Sequence, residues 1–207
     1  MFKFRALLLA AVFTFGACSE SSVPEGDKAE QSLNEGDIAA AKLHIRNALK
    51  ENGETPELVF LNGKIALEDG NSDLAKSEFS KLLQHQELGK ESRIYLAQAY
   101  LQLGNPKQAL ATLDEARASG GLATAITVSA LLAQGDSTAA VTLLDQGLRD
   151  YPDTPELMLL DATRALQMDD GARALKIAGR AAELAPNDVD VVLFQARPSM
   201  QERDLAA

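Results

Sequence analysis

The 207-residue chain contains no tryptophan, three tyrosines and seven phenylalanines, so only 5% of it is aromatic. That poverty argues against a β-sandwich, which draws on aromatic and β-branched residues, and favours helices. A single cysteine, Cys18, excludes an internal disulfide framework and any cysteine-rich zinc site. Basic side chains are in deficit, 20 Lys and Arg against 30 Asp and Glu, for a net charge of −10. Phosphate affinity needs clustered Lys and Arg, so a nucleic-acid partner is not expected. No stretch beyond residue 17 is apolar enough to span a bilayer, which takes ~20 residues. What remains is 46% hydrophobic and 24% charged, a composition that folds, at a length suited to one domain or one elongated array.

The N-terminus reads as an address. Lys3 and Arg5 precede an apolar run over residues 6–17, the length of a signal-peptide core. The run closes on Phe15-Gly16-Ala17-Cys18, which resembles a bacterial lipobox; the alternative is a plain secretory peptide. The resemblance implies that residues 1–17 are removed and that Cys18 carries acyl chains, palmitate among them, as the only covalent addition; no cofactor is expected. More than one buried chain gives stable anchoring. Ser19 in place of Asp implies sorting to the outer membrane, facing the periplasm, rather than retention at the inner one. The processed chain would carry 18 basic and 30 acidic side chains, so its surface repels anionic headgroups and contact with the membrane is expected through the lipid alone. Residues 18–27, small and polar after the Cys, read as a tether.

Residues 28–196 repeat. Gly36-Asp37, Gly70-Asn71 and Gly104-Asn105 recur every 34 residues, and Gly135-Asp136 follows 31 later. Five residues after each Gly stands an Ala, at 41, 75, 109 and 140, and Ala174 continues the series where the Gly has become Asp169. Thr55-Pro56-Glu57-Leu58 returns as Thr154-Pro155-Glu156-Leu157. Each period predicts two helices: Gly closes the first in a left-handed conformation, and Asp or Asn caps the second. Pro at the first helical position follows Thr55, Asn105 and Thr154.

Catalytic constellations are missing. His44 and His85 lie in different periods with no acid or Cys at ligand spacing, and both read as structural or surface residues. Asp169-Asp170 are adjacent and do not share a helix face, so they read as turn and cap residues rather than metal ligands. Gly120-Gly121 follows a helix and reads as a terminator, not a phosphate cradle. Neither an enzyme, nor a metal site, nor a small-molecule substrate is expected.

The period resembles the tetratricopeptide repeat (TPR). With repeats begun at Pro56, Lys90, Gly121 and Pro155, the family's small eighth position falls on Gly63, Ala97, Val128 and Ala162. Its small twentieth falls on Ala75, Ala109, Ala140 and Ala174, and its bulky twenty-fourth on Phe79, Leu113, Leu144 and Ala178. The implied fold is all-α, a right-handed solenoid of antiparallel helix pairs. It has about five repeats with a degenerate first one, the start of a sixth at Val189, and a frayed tail over 197–207 after a break at Pro198. The family binds protein partners along a concave groove lined by first helices. The positions implied here are Phe60, Lys64, Leu67, Ile94, Gln98, Leu101, Ser129, Leu132, Leu159, Thr163 and Leu166. Their apolar members suit a helix or extended segment laid along the groove, or else simply pack neighbouring first helices. Lys64 is the only base, so the basic clamp with which chaperone-docking relatives hold a C-terminal carboxylate is missing.

The run EGDIAAAKLHIRNALKENGETPELVFLNGKIALEDGNSDLAKSEFSKLL, then QELGKESRIYLAQAYLQLGNPKQALATL, is similar to the N-terminal part of the exosortase-associated (PEP-CTERM system) TPR lipoproteins. That resemblance implies an accessory scaffold in protein sorting and exopolysaccharide export. Alternatives are a lipoprotein for type IV pilus or outer-membrane assembly, and a non-catalytic part of an envelope polysaccharide-processing enzyme.

Overall fold

A computed structural model describes residues 23–116 and 119–188, together with Val191 and Phe194. The signal peptide, Cys18 and the 197–207 tail of the sequence reading lie outside the described residues. Among the described residues the chain is all-helical, with no strand. The helices are α1 Glu25–Asn34, α2 Ile38–Asn52, α3 Pro56–Glu68, α4 Ser72–Lys81, α5 Gly89–Gln102, α6 Pro106–Ala116, α7 Gly121–Ala133, α8 Ser137–Asp150, α9 Pro155–Gln167 and α10 Gly171–Leu184. Consecutive helices pair across short turns, α1 with α2 through α9 with α10, and each pair packs on the next.

The turns explain the period. At each of the first four, glycine takes a left-handed φ of 72–83° (Gly36, Gly70, Gly104, Gly135). In each, the residue after the glycine donates its N–H to a carbonyl five residues back: Asp37 to Ser32, Asn71 to Ala66, Asn105 to Tyr100, Asp136 to Leu131. Together with the glycine's own N–H bond, this satisfies two orphan carbonyls per helix end. The side chain after the glycine position caps the following helix, with Asp37, Asn71, Asp136 and Asp170 each accepting the N–H three residues on. The fifth turn keeps the same backbone bond, Asp170 to Ala165, although Asp169 replaces the glycine and is forced to φ 59°. In that conformation a non-glycine residue brings its Cβ against a carbonyl oxygen. Asp169→Gly should therefore stabilise the chain by about 0.5 kcal/mol, the left-handed strain relieved exceeding the extra unfolded-state entropy; a thermal melt reads this directly.

The small and large positions meet as the spacing requires. Ala75, Ala109, Ala140 and Ala174, from the second helix of each pair, are 0–1% exposed, as are Ala97, Val128 and Ala162 from the first. Phe79, Leu113 and Leu144 fill the space between successive pairs. Where the fifth pair has Ala178 instead of a bulky residue, Phe194 packs into the same cluster from the next segment. Paired ions repeat too: Lys81 reaches Glu54 at 3.1 Å and Arg180 reaches Asp153 at 2.7 Å, each 27 residues apart and the two pairs separated by 99. Such exposed pairs add at most about 1 kcal/mol, but they mark the same register in two distant hairpins.

Three details depart from the sequence reading. Helix α1 begins at Glu25, so it takes up the last three residues assigned to the tether. Gly120 stands at the N-cap of α7 and Gly121 opens that helix, a role not read from the sequence. The third concerns His44, whose Nδ1–H donates to Glu25 Oε2 at 2.8 Å, an acidic partner 19 residues away that local spacing could not reveal. Lys28 Nζ (2.7 Å) and Asn47 Nδ2 (3.1 Å) hold the same carboxylate. With His44 the largest contributor, these bonds bring the Glu25 pKa from 4.5 to about 2. A depressed carboxylate contributes stability that is complete above the unfolded value and is lost as pH falls through the folded one. Docking of α1 on α2 should weaken between about pH 4.5 and pH 2, and Glu25→Gln should flatten that part of a melting-temperature-against-pH curve.

Candidate functional site

The inner wall of the array is built from the first helix of each pair. Three cavities run along it. One of about 310 Å³ lies between α1 and α3 and is lined by Phe60 and Lys64 among others. A second, of about 350 Å³, takes in Lys64, Leu67, Tyr95 and Gln98 and is walled also by Leu33, Asn34 and residues 184–188. The third, of about 400 Å³, is lined by Gln98, Leu101, Ser129, Leu159, Thr163 and Phe194 among others. Lys64 and Gln98 each line two of these hollows, and Asp188 joins Gln98 in both of the larger ones, so they form one continuous trough.

Eight of the eleven positions read from the sequence line this trough: Phe60, Lys64, Leu67, Gln98, Leu101, Ser129, Leu159 and Thr163. Three do not. Ile94 packs against the cluster around Ala97 and Leu113. Leu132 and Leu166, 44% and 40% exposed, stand near the C-terminal ends of α7 and α9, outside the trough. Leu67, although at its edge, is only 4% exposed, so packing dominates its role.

Three of the chain's ten aromatic residues meet at and behind this wall. Phe60, Phe79 and Tyr95 form a triangle with ring centroids 5.4–5.6 Å apart, Phe79 stacked on Tyr95 and Phe60 edge-on to both. Lys64 Nζ lies 5.9 Å from the centre of the Tyr95 ring, within reach of a cation–π attraction. Burial first, then the carboxylates of Glu91, Glu156 and Glu68, push the Tyr95 phenol up to about 12. Tyr95 thus stays a neutral hydroxyl at physiological pH, in a negative field.

How the ends meet is a feature that sequence reasoning missed. Asn187 Nδ2 donates to the Asn34 carbonyl at 3.0 Å, joining residues 153 apart. The backbone at Asn187 also approaches Gly36, where an added Cβ would lie 3.3 Å from its carbonyl oxygen. The array curls so far that the end of its fifth pair touches the end of α1 and closes one side of the trough. Among the described residues no group of three or more His, Cys, Asp or Glu could hold a metal ion, and no helix is long and apolar enough to cross a membrane.

Comparison with known proteins agrees with this geometry. Two family profiles, each described as "Tetratricopeptide repeat", match residues 66–123 and 127–189, together more than half of the chain. Among solved structures, TTC0263, a thermophilic TPR protein of Thermus thermophilus, is 25% identical with a TM-score of 0.67, over 85% of this chain and 97% of that one. A tetratricopeptide repeat protein of Parabacteroides merdae is 17% identical, also with a TM-score of 0.67, over 83% of this chain and 68% of that one. YrrB, described as a TPR protein with an unusual peptide-binding site, is 16% identical with a TM-score of 0.50, over 82% and 89%. No curated protein sequence matches.

Proposed function

Because this chain belongs to the tetratricopeptide-repeat family, we propose that it is a non-enzymatic scaffold which holds a protein segment in the trough of its inner wall. The observation that carries this reading is the character of the wall. Gln98, Leu101, Ser129, Leu159 and Thr163 are half-buried, on the first helices α5, α7 and α9 of successive hairpins. Side chains that are neither sealed in the core nor fully solvated, mixing apolar surface with hydrogen-bonding groups, suit a docked segment. The lipobox-like Phe15-Gly16-Ala17-Cys18 supports a second element: acyl chains on Cys18 hold the array at the outer membrane on its periplasmic side. The similarity of the first three repeats to the exosortase-associated lipoproteins supports an accessory role in protein sorting and exopolysaccharide export.

The test compares Ser129→Trp with the parent chain in solubilised envelope. A half-buried serine replaced by a large ring fills the trough while leaving the hairpin core in place. Partner recovery should fall by about tenfold, with the melting curve unchanged. Full recovery with the trough filled would remove the inner wall as the docking surface. In parallel, Cys18→Ala should move the protein from the membrane to the soluble fraction of a detergent-free lysate; continued sedimentation would remove the lipid as the tether.

A further inference from the structure

The seam where the two ends of the array meet is built differently from the contacts between successive hairpins. Those contacts bury large side chains, Phe79, Leu113 and Leu144. Among the described residues no hydrophobic cluster crosses the seam. Leu33 packs with Ala41 and Ile45 at the start of the array, and Ala182 and Ala185 pack with Met158 and Ala181 at its end. Leu184, beside the seam, is left 46% exposed. The bond across it is the one from Asn187 Nδ2 to the Asn34 carbonyl, and it is exposed. That carbonyl is free to accept because the turn after α1 uses its neighbours: the N–H groups of Glu35, Gly36 and Asp37 go to Gln31, Leu33 and Ser32. It therefore stands at the negative end of the α1 dipole, where an amide donor is welcome. Gly36, without a side chain, lets the Asn187 backbone come within van der Waals distance.

Water can replace either partner of an exposed hydrogen bond at little net cost. Each hairpin touches only its neighbours, so small rotations at successive interfaces add up at the two ends. The seam is thus the contact that yields first. Behind it lies the hollow of about 350 Å³, which Leu33, Asn34 and residues 184–188 line together with Tyr95 and Gln98. Parting the seam separates these walls. Resting on the scaffold reading above, we infer that the Asn34–Asn187 seam is a clasp that regulates the trough: the array opens there to admit a partner segment and closes around it. An occupant favours the closed state because only that state brings both ends of the array against it.

The test needs no partner, so its failure is separate from failure of the docking reading. It uses the full chain with Cys18→Ala, so that introduced thiols are the only ones. Nitroxides on Ala39→Cys and Glu183→Cys, both exposed and close to the seam, report its width by pulsed dipolar spectroscopy. Two populations are expected, a short one in excess and a long one. Asn187→Ala removes the donor and should raise the long-to-short ratio about threefold. Asn187→Asp keeps the size but sets a carboxylate against the negative helix end, and should raise the ratio about tenfold, less at high salt. Access is read separately on Gln98→Cys, without the nitroxide sites. A maleimide carried on dextran should label it faster in the same order, Asn187→Asp above Asn187→Ala above the parent, while N-ethylmaleimide reacts at one rate in all three. Thr142→Cys, on the outer helix α8, should show no such order. A single short distance unmoved by either substitution overturns the inference, as does a single long one. A distance that shifts while dextran labelling of Gln98→Cys stays constant overturns it too, since the seam would then open without governing the trough.

Discussion

Phe79→Ala should cost about 3–5 kcal/mol, the range for emptying a buried phenylalanine site. The ring is fully buried and ties its own hairpin to the next. It stacks on Tyr95 of α5 at 5.4 Å and 18°, receives the edge of Phe60 at 5.6 Å and 72°, and lies against the backbone of α3 at Gly63. Two of its neighbours are themselves rings held by other contacts, so the wall cannot collapse into the space, and the cost falls towards the upper part of the range. The loss should not be shared evenly. In a stacked array each pair touches only its neighbours, so stability is a sum of unit and interface terms. Amide exchange should accelerate most in α3, α4 and α5 and least in α9 and α10. A uniform acceleration would mean that the array unfolds as one cooperative body.

Gly63→Ala should also destabilise, by about 1–3 kcal/mol from overpacking, and the sign is the informative part. In an open helix interior the same change stabilises by about 1 kcal/mol, because alanine has the better helix propensity. Gly179, in the middle of α10 with nothing within 4 Å of an added Cβ, should behave in that ordinary way. At Gly63 the added Cβ would lie 2.7 Å from Phe79 Cζ and 2.8 Å from its Cε1, and a ring clamped between Phe60 and Tyr95 has nowhere to go. Phe79→Leu in the Gly63→Ala background should recover part of the loss, making the two changes strongly non-additive. Denaturant melts of the two single variants, the double variant and Gly179→Ala measure all of this. A stabilising Gly63→Ala would show that the contact between α3 and α4 is looser than the ring geometry requires.

Local chemistry made much of this fold legible in the sequence. Helix boundaries follow from residues that act within one turn: Gly36, Gly70, Gly104 and Gly135 in the left-handed conformation, and Asp37, Asn71, Asp136 and Asp170 as caps. Pair-to-pair packing was readable because volume recurs at fixed spacing, and the alanines at the twentieth position are all buried. The period even located Asp169, whose backbone keeps the conformation that its predecessors reach with glycine. Contacts set by the accumulated curl of the array were not readable. Asn187 meets Asn34 because small rotations add over five hairpins, and no residue encodes that sum. The Glu25–His44 bond depends in the same way on how α1 lies across α2. The inner-wall positions were legible in outline, since first-helix periodicity places Gln98, Ser129 and Thr163 on one side. Leu132 and Leu166 stand next to last in their helices just as Leu67 and Leu101 do, and those two line the trough, so no local feature of the sequence separates the two pairs.

The claim that the inner wall is the working surface is tested most directly by a photo-crosslinking amino acid placed in the cell at one of two sites. Ser129 lines the trough, and Thr142 is exposed on the outer helix α8. On irradiation the Ser129 position should yield a discrete crosslinked partner whose bound peptide, located by mass spectrometry, is one continuous segment, and the Thr142 position should yield none. A partner captured from Thr142 and not from Ser129 would contradict the account.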